Sequence, residues 1–489
     1  MRHTIELSTL KYPSVWCERL LWMAVLLALA VRIAGFMVLP SSKLDSMSQG
    51  YIRAAATLAS GHGMLMSTKD SFGRESDVID VMKQRQMAGG RVDSQHPYPT
   101  RTTGWIPSTL HPAGYSYLLY LFYRIGNYNG MLLLMRFLQA GLDAMVCLLI
   151  FLFARNVFDR RIGLWAAWVY AVLPPVIVQS TCFMPDSLNC FLMALVLWLS
   201  SYAHVGRNWV LLLAGFAVGL ASNFRPEFLL LPGAVFLILW VDQRRFWVPI
   251  AWTTGMVATM LLMLVPWMMW THSATGKALI ASTGAGVTMY EALGETPNNP
   301  WNVVLGDGWV DEDARKRGFT TAWSVEANSF YRGLFRECVA EHPGYYAKTV
   351  LFYRLPLALV PPYVVERSAE SKREFNFTDM REKEGLTHWG VVRKYPFTVL
   401  RYMWCEVLMA ALSAAFFVNF VGLILVRWRY YRQLVWLVLP WAYTVSSICL
   451  TAPVYPRYVV AILVVQTVAL AMTIVLLSDR RRKAMSIGA

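Results

Sequence analysis

Long apolar runs broken by short charged clusters dominate the chain, and their lengths set the first expectation. A helix needs about 20 predominantly apolar residues to cross a bilayer. Runs of that kind fall near 20–39, 131–154, 162–182, 186–203, 209–224, 226–241, 248–270, 397–426, 434–451 and 457–478, predicting about ten transmembrane helices. The pair at 209–241 is short and joined by Asn223-Phe224-Arg225-Pro226. A further apolar stretch, Pro112–Gly126, is too short to span and reads as a helix lying in or re-entering one face. The first run is too long for the apolar region of a signal peptide and lacks a small-residue cleavage site, so it is expected to remain as a span.

Composition agrees. Apolar residues make up 56% of the chain and charged ones 15%, with mean hydropathy +0.41, whereas soluble domains carry about 25% charged residues. The expected fold class is an all-α polytopic membrane protein with juxtamembrane helices and two large loops on one face.

The charges then orient it. The N-terminus, the tail and the loops bearing Arg155, Arg160, Arg161, Arg207, Arg244, Arg245, Arg427, Arg429 and Arg432 hold sixteen cations against five acids, so +11 of the net +15 lies on one side. Cytoplasmic loops concentrate Lys and Arg, which places both termini inside; a bacterial cytoplasmic membrane is the expected home, although an archaeal one would look similar. The basic balance therefore reports topology and argues against nucleic-acid binding, for which no basic-aromatic module is present. The expected organisation is a membrane module at 1–270 with its first outer loop at 40–130, a large periplasmic loop at 271–396, and C-terminal helices and tail at 397–489. Seven cysteines show no paired spacing and indicate neither a disulfide framework nor a zinc site.

Polar residues of the outer face form an ordered series. Asp45 follows the first span and precedes Tyr51-x-x-x-Ala55-x-x-Leu58-x-x-Gly61-His62-Gly63. His111-Pro112-x-Gly114-Tyr115 introduces the short apolar helix, and Pro185-Asp186-Ser187 opens the fourth span. Asn223-Phe224-Arg225-Pro226-Glu227 makes a hairpin, Pro266-Trp267 lies near the end of the seventh span, and Lys277 precedes Ser282-Thr283-Gly284-Ala285-Gly286. Pro453-Val454-Tyr455-Pro456-Arg457-Tyr458 opens the last span.

In this order and on this face, the motifs resemble those of the polytopic glycosyltransferases of the C superfamily. More narrowly, they are similar to the bacterial branch related to protein O-mannosyltransferases and to the aminoarabinose transferase of lipid A. The resemblance runs from about residue 30 to 460, with departures: Ser46 follows Asp45 where relatives often have a second acid, and His111 stands where some have Lys. The segment from 64 to 108 matches no motif of the family and is expected to shape acceptor choice.

The resemblance implies a polyprenyl-phosphate-linked sugar donor and a lipid, glycan or protein acceptor. Such transfer needs a general base at the acceptor hydroxyl and cations at the leaving phosphate. Asp45 is assigned as base, with Asp186 positioning the acceptor or an ion. Arg457, Arg225 and Lys277 are phosphate candidates, and His111 a hydrogen-bond donor to it. Tyr51, Tyr115 and Tyr455 complete the expected site. No cofactor is expected beyond an optional divalent cation, Mg²⁺ or Mn²⁺.

Each residue also has a structural explanation. Asp45 could cap the helix that follows, Asp186 could favour a helix dipole, Arg457 could snorkel to headgroups, and Arg225 could pair with Glu227. Three other functions remain open from the residues alone: a lipid or solute transporter, a non-catalytic envelope scaffold, and a glycan polymerase or ligase using a lipid diphosphate. The transporter predicts charges at span midplanes. Such charges are few, the nearest being Arg136, Asp143 and Glu406, and Asp143 could instead pair with a basic residue inside the bundle.

Overall fold

A computed structural model describes residues 14–38, 46–59, 61, 63–67, 105–296, 298–361 and 384–487. Asp45 lies outside them. Helix α1, Ser14–Val38, and α2, Ser46–Ala59, are followed by β1, Leu65–Ser67, which pairs antiparallel with β2, Trp105–Pro107, Leu65 opposite Pro107. The membrane bundle continues with α3 (Gly114–Val157), α4 (Arg160–Ala171), α5 (Pro174–Thr181), α6 (Asp186–Ser201) and α7 (Val210–Ser222). After a 3-10 turn at Pro226–Leu230 come α8 (Leu231–Gln243) and α9 (Trp247–Thr275).

Among the described residues, six helical stretches are long and apolar enough to cross a membrane, or seven if the bent pair α4–α5 counts as one span. Two further apolar helices, α6 and α7, are shorter. The chain is thus an all-α, multi-pass membrane protein, with the expected number of ten not reached by length alone. Its departures from regular helix have local causes. α3 breaks where Gly126 and Asn127 leave helical dihedrals, Asn127 at φ 57°, which separates the short apolar helix from the span expected at 131–154. The expected span at 162–182 bends by 55° between α4 and α5, where Pro174 and Pro175 remove two backbone donors.

Small residues bring α7 and α9 together. A Cβ on Gly215 would stand 2.1 Å from the Met256 carbonyl oxygen, and one on Gly219 2.7 Å from that of Met260. This small-x-x-x-small spacing permits close helix approach where no hydrophobic gain separates protein from lipid. Deeper in the bundle, Asp143 is ion-paired with Arg32 and accepts from the Tyr170 hydroxyl at 2.8 Å. Arg32 also donates to the carbonyls of Ala28 at 3.1 Å and Ala171 at 2.9 Å. Both charges are fully buried, so Asp143 takes the alternative of a basic partner inside the bundle, Arg32, which ties α1, α3 and α4 together.

The next part of the chain builds a small core of its own. It comprises α10 (Gly284–Glu291), a 3-10 turn at Ala292–Glu295, α11 (Asp307–Lys316), α12 (Val325–Glu341) and α13 (Pro343–Thr349), then a π-helical turn at Val350–Arg354 and α14 (Leu355–Leu359). Val287, Tyr290, Leu293, Val310, Trp323 and Tyr331 fill this core, and Met66 and Leu110 pack against it. Returning to the bundle, the chain forms α15 (His388–Lys394), α16 (Pro396–Tyr402), α17 (Trp404–Arg427), α18 (Tyr431–Thr451), α19 (Pro456–Val459) and α20 (Ile462–Ile487). At the end remote from Asp186, Arg161 pairs with Asp479 at 3.0 Å and His204 with Asp242 at 2.7 Å.

Candidate functional site

The sequence motifs meet because their backbones dock on one another. The Gly114 N–H donates to the Asn223 carbonyl at 2.8 Å, and a Cβ at Gly114 would fall 2.5 Å from that oxygen. Glycine is therefore required for the His111 motif to sit on the Arg225 hairpin. Two residues before His111, Thr109 accepts from the Thr283 N–H at 2.8 Å, while the two hydroxyls lie 3.0 Å apart. Thr283 in turn donates to the Trp323 carbonyl at 2.9 Å, which ties this junction to the small core.

Asp186 heads α6, buried at 1% exposure, and is ion-paired with Arg225. Its other oxygen accepts from Gln179 Nε2 at 3.2 Å. The segment leading to it is held by Gln139, whose Nε2 donates to the Met184 carbonyl at 2.7 Å and to Ser187 Oγ at 3.2 Å. Arg225 stacks on the Tyr458 ring at 4.7 Å, and Arg457 on the same ring at 5.1 Å and on Tyr455 at 5.2 Å. Two guanidiniums thus share one aromatic ring, and Asp186 pairs with one of them.

Arg457 is poorly satisfied. Its hydrogen bonds reach the Met184 sulfur and the Tyr458 hydroxyl, each at 3.4 Å, and among the described residues its buried Nε has no partner. A thioether is a weak acceptor, so this cation retains donors for a stronger one.

An aromatic wall closes the other side. Tyr51 stacks on His111 at 4.7 Å and meets Tyr115 edge-on at 4.9 Å. Desolvation, with Arg225 and Arg457 nearby, pushes His111 down to about 3, so its imidazole is neutral and offers one donor. Burial raises the Tyr51 phenol, with Asp186 adding to the effect and the two arginines opposing it.

Seven of the expected residues, Tyr51, His111, Tyr115, Asp186, Arg225, Tyr455 and Arg457, therefore gather in one site. Lys277 does not join them. Helix α9 ends on Gly276 at φ 76°, and exposed Lys277 lies in the turn, its N–H donating to Thr275 Oγ1 at 3.3 Å. Asp45 directly precedes α2, the helix that carries Tyr51.

Sequence reasoning left out Tyr458, Gln179, Gln139 and the acids of the small core. Tyr458 lies inside a quoted motif and was legible there. Glu291 and Asp307 carried no such signal. Glu291 is buried, and desolvation followed by the Asp307 and Glu295 carboxylates pushes it up to about 8. Burial also raises Asp307, while Arg457 draws it back. Burial and the Glu291 carboxylate raise the Tyr455 phenol as well. Among the described residues, no group of three or more His, Cys, Asp or Glu side chains is placed to hold a metal ion.

Comparison with known proteins follows this geometry. Residues 110–270 match the family model of dolichyl-phosphate-mannose-protein mannosyltransferases, a stretch that includes His111, Tyr115, Asp186 and Arg225. No curated protein matches the chain. Among solved structures, it is similar to the archaeal oligosaccharyltransferase AglB of Archaeoglobus fulgidus in complex with an inhibitory peptide and a dolichol-phosphate. That likeness has 14% identity and a TM-score of 0.49, covering 97% of this chain and 52% of that one. The apo form of the Archaeoglobus fulgidus oligosaccharyltransferase gives the same values. The chain spans about half the length of these structures. Carried by the mannosyltransferase model over about a third of its length, the chain resembles the membrane glycosyltransferases of the C superfamily.

Proposed function

We propose that the protein is a membrane glycosyltransferase that moves a sugar from a polyprenyl-phosphate-linked donor to a hydroxyl of a lipid, glycan or protein acceptor. The reaction takes place on the periplasmic face of a bacterial cytoplasmic membrane, with both termini cytoplasmic. The observation that carries this reading is Arg457, a guanidinium beside Arg225 whose buried Nε has no partner among the described residues and whose other hydrogen bonds, to a thioether and to the Tyr458 hydroxyl, are long at 3.4 Å. Such a group suits a phosphate that gains charge as the glycosidic bond breaks.

The remaining roles follow from position. Asp186 orients Arg225 and balances its charge in the free protein. Neutral His111 donates one hydrogen bond towards the phosphate, and Tyr51, Tyr115 and Tyr455 line the site. Asp45, directly ahead of the helix bearing Tyr51, is the base that removes the acceptor proton. Attack opposite the departing phosphate inverts the anomeric carbon, by the geometry that separates inverting from retaining glycosidases.

The transporter reading draws on the buried Arg32–Asp143 pair, since an ionisable residue within a membrane is a functional candidate by default. Here the pair is fully buried and bonded to carbonyls and to Tyr170, an arrangement suited to holding helices in register.

The test is transfer of radiolabelled sugar from synthetic polyprenyl-phosphate donors by wild type and Asp45→Asn in nanodiscs, with donor hydrolysis also scored. Turnover by wild type, lost in Asp45→Asn while the donor still binds, is expected. Equal turnover by both proteins would move the base elsewhere. Turnover with lipid-diphosphate donors alone would favour a polymerase or ligase, and neither binding nor turnover would sink the enzyme reading.

A further inference from the structure

The small core is joined to the membrane site by a clasp that no catalytic role explains. Arg354, fully buried, forms an ion pair with Glu295, itself 3% exposed, at 2.7 Å. Arg354 Nη1 donates to the Cys449 carbonyl at 3.1 Å, and its Nη2 to that of Ala292. The guanidinium also lies 5.6 Å from the centre of the Tyr346 ring, and the Tyr346 hydroxyl donates to the Leu450 carbonyl at 2.6 Å. Residues of the small core thus grip the end of α18.

The other carboxylate oxygen does something different. Glu295 Oε1 accepts from the Val454 N–H at 2.7 Å. Val454 and Tyr455 lie between Pro453 and Pro456, and proline has no N–H. The segment therefore has two backbone donors. Tyr455 uses its own on the Pro453 carbonyl at 3.1 Å, so the Val454 donor fixes the segment to the rest of the protein, three residues before Arg457.

We propose that Glu295 and Arg354 are positioning residues: Arg354 orients Glu295, and Glu295 holds the Pro453–Pro456 segment so that Arg457 faces the lipid phosphate. This rests on the functional reading above and adds to it the device that sets its main cation. A buried ion pair is weak evidence for stability, since apolar replacements of similar volume are often neutral. Specificity of position is the more economical reason for this one, because the carboxylate is divided between the guanidinium and the loop.

Two variants separate position from stability. Glu295→Gln keeps an oxygen for Val454 but leaves Arg354 without its counter-charge. Glu295→Leu combined with Arg354→Met removes both charges and leaves the Val454 N–H without an acceptor. Binding of radiolabelled polyprenyl phosphate would be measured in nanodiscs, with polyprenol and inorganic phosphate as competitors to separate tail from headgroup. Thermal unfolding and hydrogen exchange of the peptide spanning 453–459 would be followed on the same ligand-free proteins. The single variant is expected to lose thermal stability, keep lipid-phosphate affinity within about threefold and keep its exchange slow. The double variant should unfold near the wild-type temperature, exchange faster over 453–459 and bind at least tenfold more weakly. Wild-type affinity and exchange in the double variant, or affinity that merely follows unfolding temperature in both, overturns the proposal. A wild type that binds no lipid phosphate refutes the functional reading instead, and the exchange measurement keeps that outcome separate from a failure of the clasp.

Discussion

Replacing Asp186 by Asn should weaken the free protein and strengthen its grip on a lipid phosphate. Asp186 is 1% exposed and Arg225 13%, so the pair is largely removed from water. Losing one partner of such a pair costs about 3–5 kcal/mol, because the remaining charge is left buried. A second term comes from Arg457. Both guanidiniums stack on Tyr458, at 4.7 and 5.1 Å from its centre, so they are at most about 10 Å apart. At an effective dielectric constant near 20, like charges at that separation repel by roughly 1.7 kcal/mol. An incoming phosphate would experience the loss of the competing Asp186 anion at a similar scale, which corresponds to roughly tenfold tighter binding. The assay pairs thermal unfolding in nanodiscs, with and without polyprenyl phosphate, with direct binding of the lipid. Asp186→Asn should unfold at lower temperature, regain more stability than wild type when the lipid is added, and turn over slowly because Arg225 is no longer oriented. Weaker lipid binding in the variant would refute the reasoning and make Asp186 a ligand contact. Unchanged unfolding with turnover abolished would assign it to the chemistry itself.

Two further outcomes follow from the same structure. Glu291, raised from the ordinary carboxyl range to about 8, binds its proton more tightly in the folded state, so its contribution is present below about pH 4.5 and is lost as pH rises towards 8. His111, lowered to about 3, acts in the opposite sense, costing stability as pH falls below about 6.5. The two slopes offset each other between those limits, so wild type should lose stability mainly from about pH 6.5 to 8, by up to ~1.4 kcal/mol per unit. Glu291→Gln should flatten that limb in a thermal-unfolding series, and an unchanged limb would exclude Glu291 as its cause. Gly215→Ala would place a Cβ 2.1 Å from the Met256 oxygen and force α7 from α9, costing about 1–3 kcal/mol. Gly233→Ala, with nothing within 4 Å, is the matched control, and equal unfolding temperatures for the two would show that the close approach carries no energy.

Much of the architecture was legible because a bilayer imposes its own ruler on the sequence. The run at 248–270 emerges as α9 and the run at 226–241 as Pro226–Gln243. Run length fails where the chain bends within an apolar stretch, as at Leu173-Pro174-Pro175, although the paired prolines mark the place. It also fails for Arg32. One cation in an apolar run looks like a local flaw until Asp143, more than a hundred residues away, is packed against it. That pairing depends on how α1 crosses α3, which no local pattern records.

The site divides along the same line. Each short motif is weak alone because most of its residues serve a neighbour: Gly114 clears space for the Asn223 carbonyl, and Thr109 and Thr283 hold two loops together. Their common order carried the information, and it led to six residues around Asp186 without any view of their contacts. Lys277 was chosen for its proximity to a motif in sequence, and it lies exposed in the turn after Gly276, apart from the cluster around Asp186. Glu291, Glu295 and Asp307 stayed hidden for the converse reason. Acids in a long polar segment normally face water, whereas here Glu291 and Glu295 are buried, Asp307 is half-buried, and Glu295 accepts from the Val454 N–H. Arg457 is therefore written in a short motif, whereas Glu295 and Arg354, which hold the segment ahead of it, lie far away in the sequence where local pattern does not reveal them.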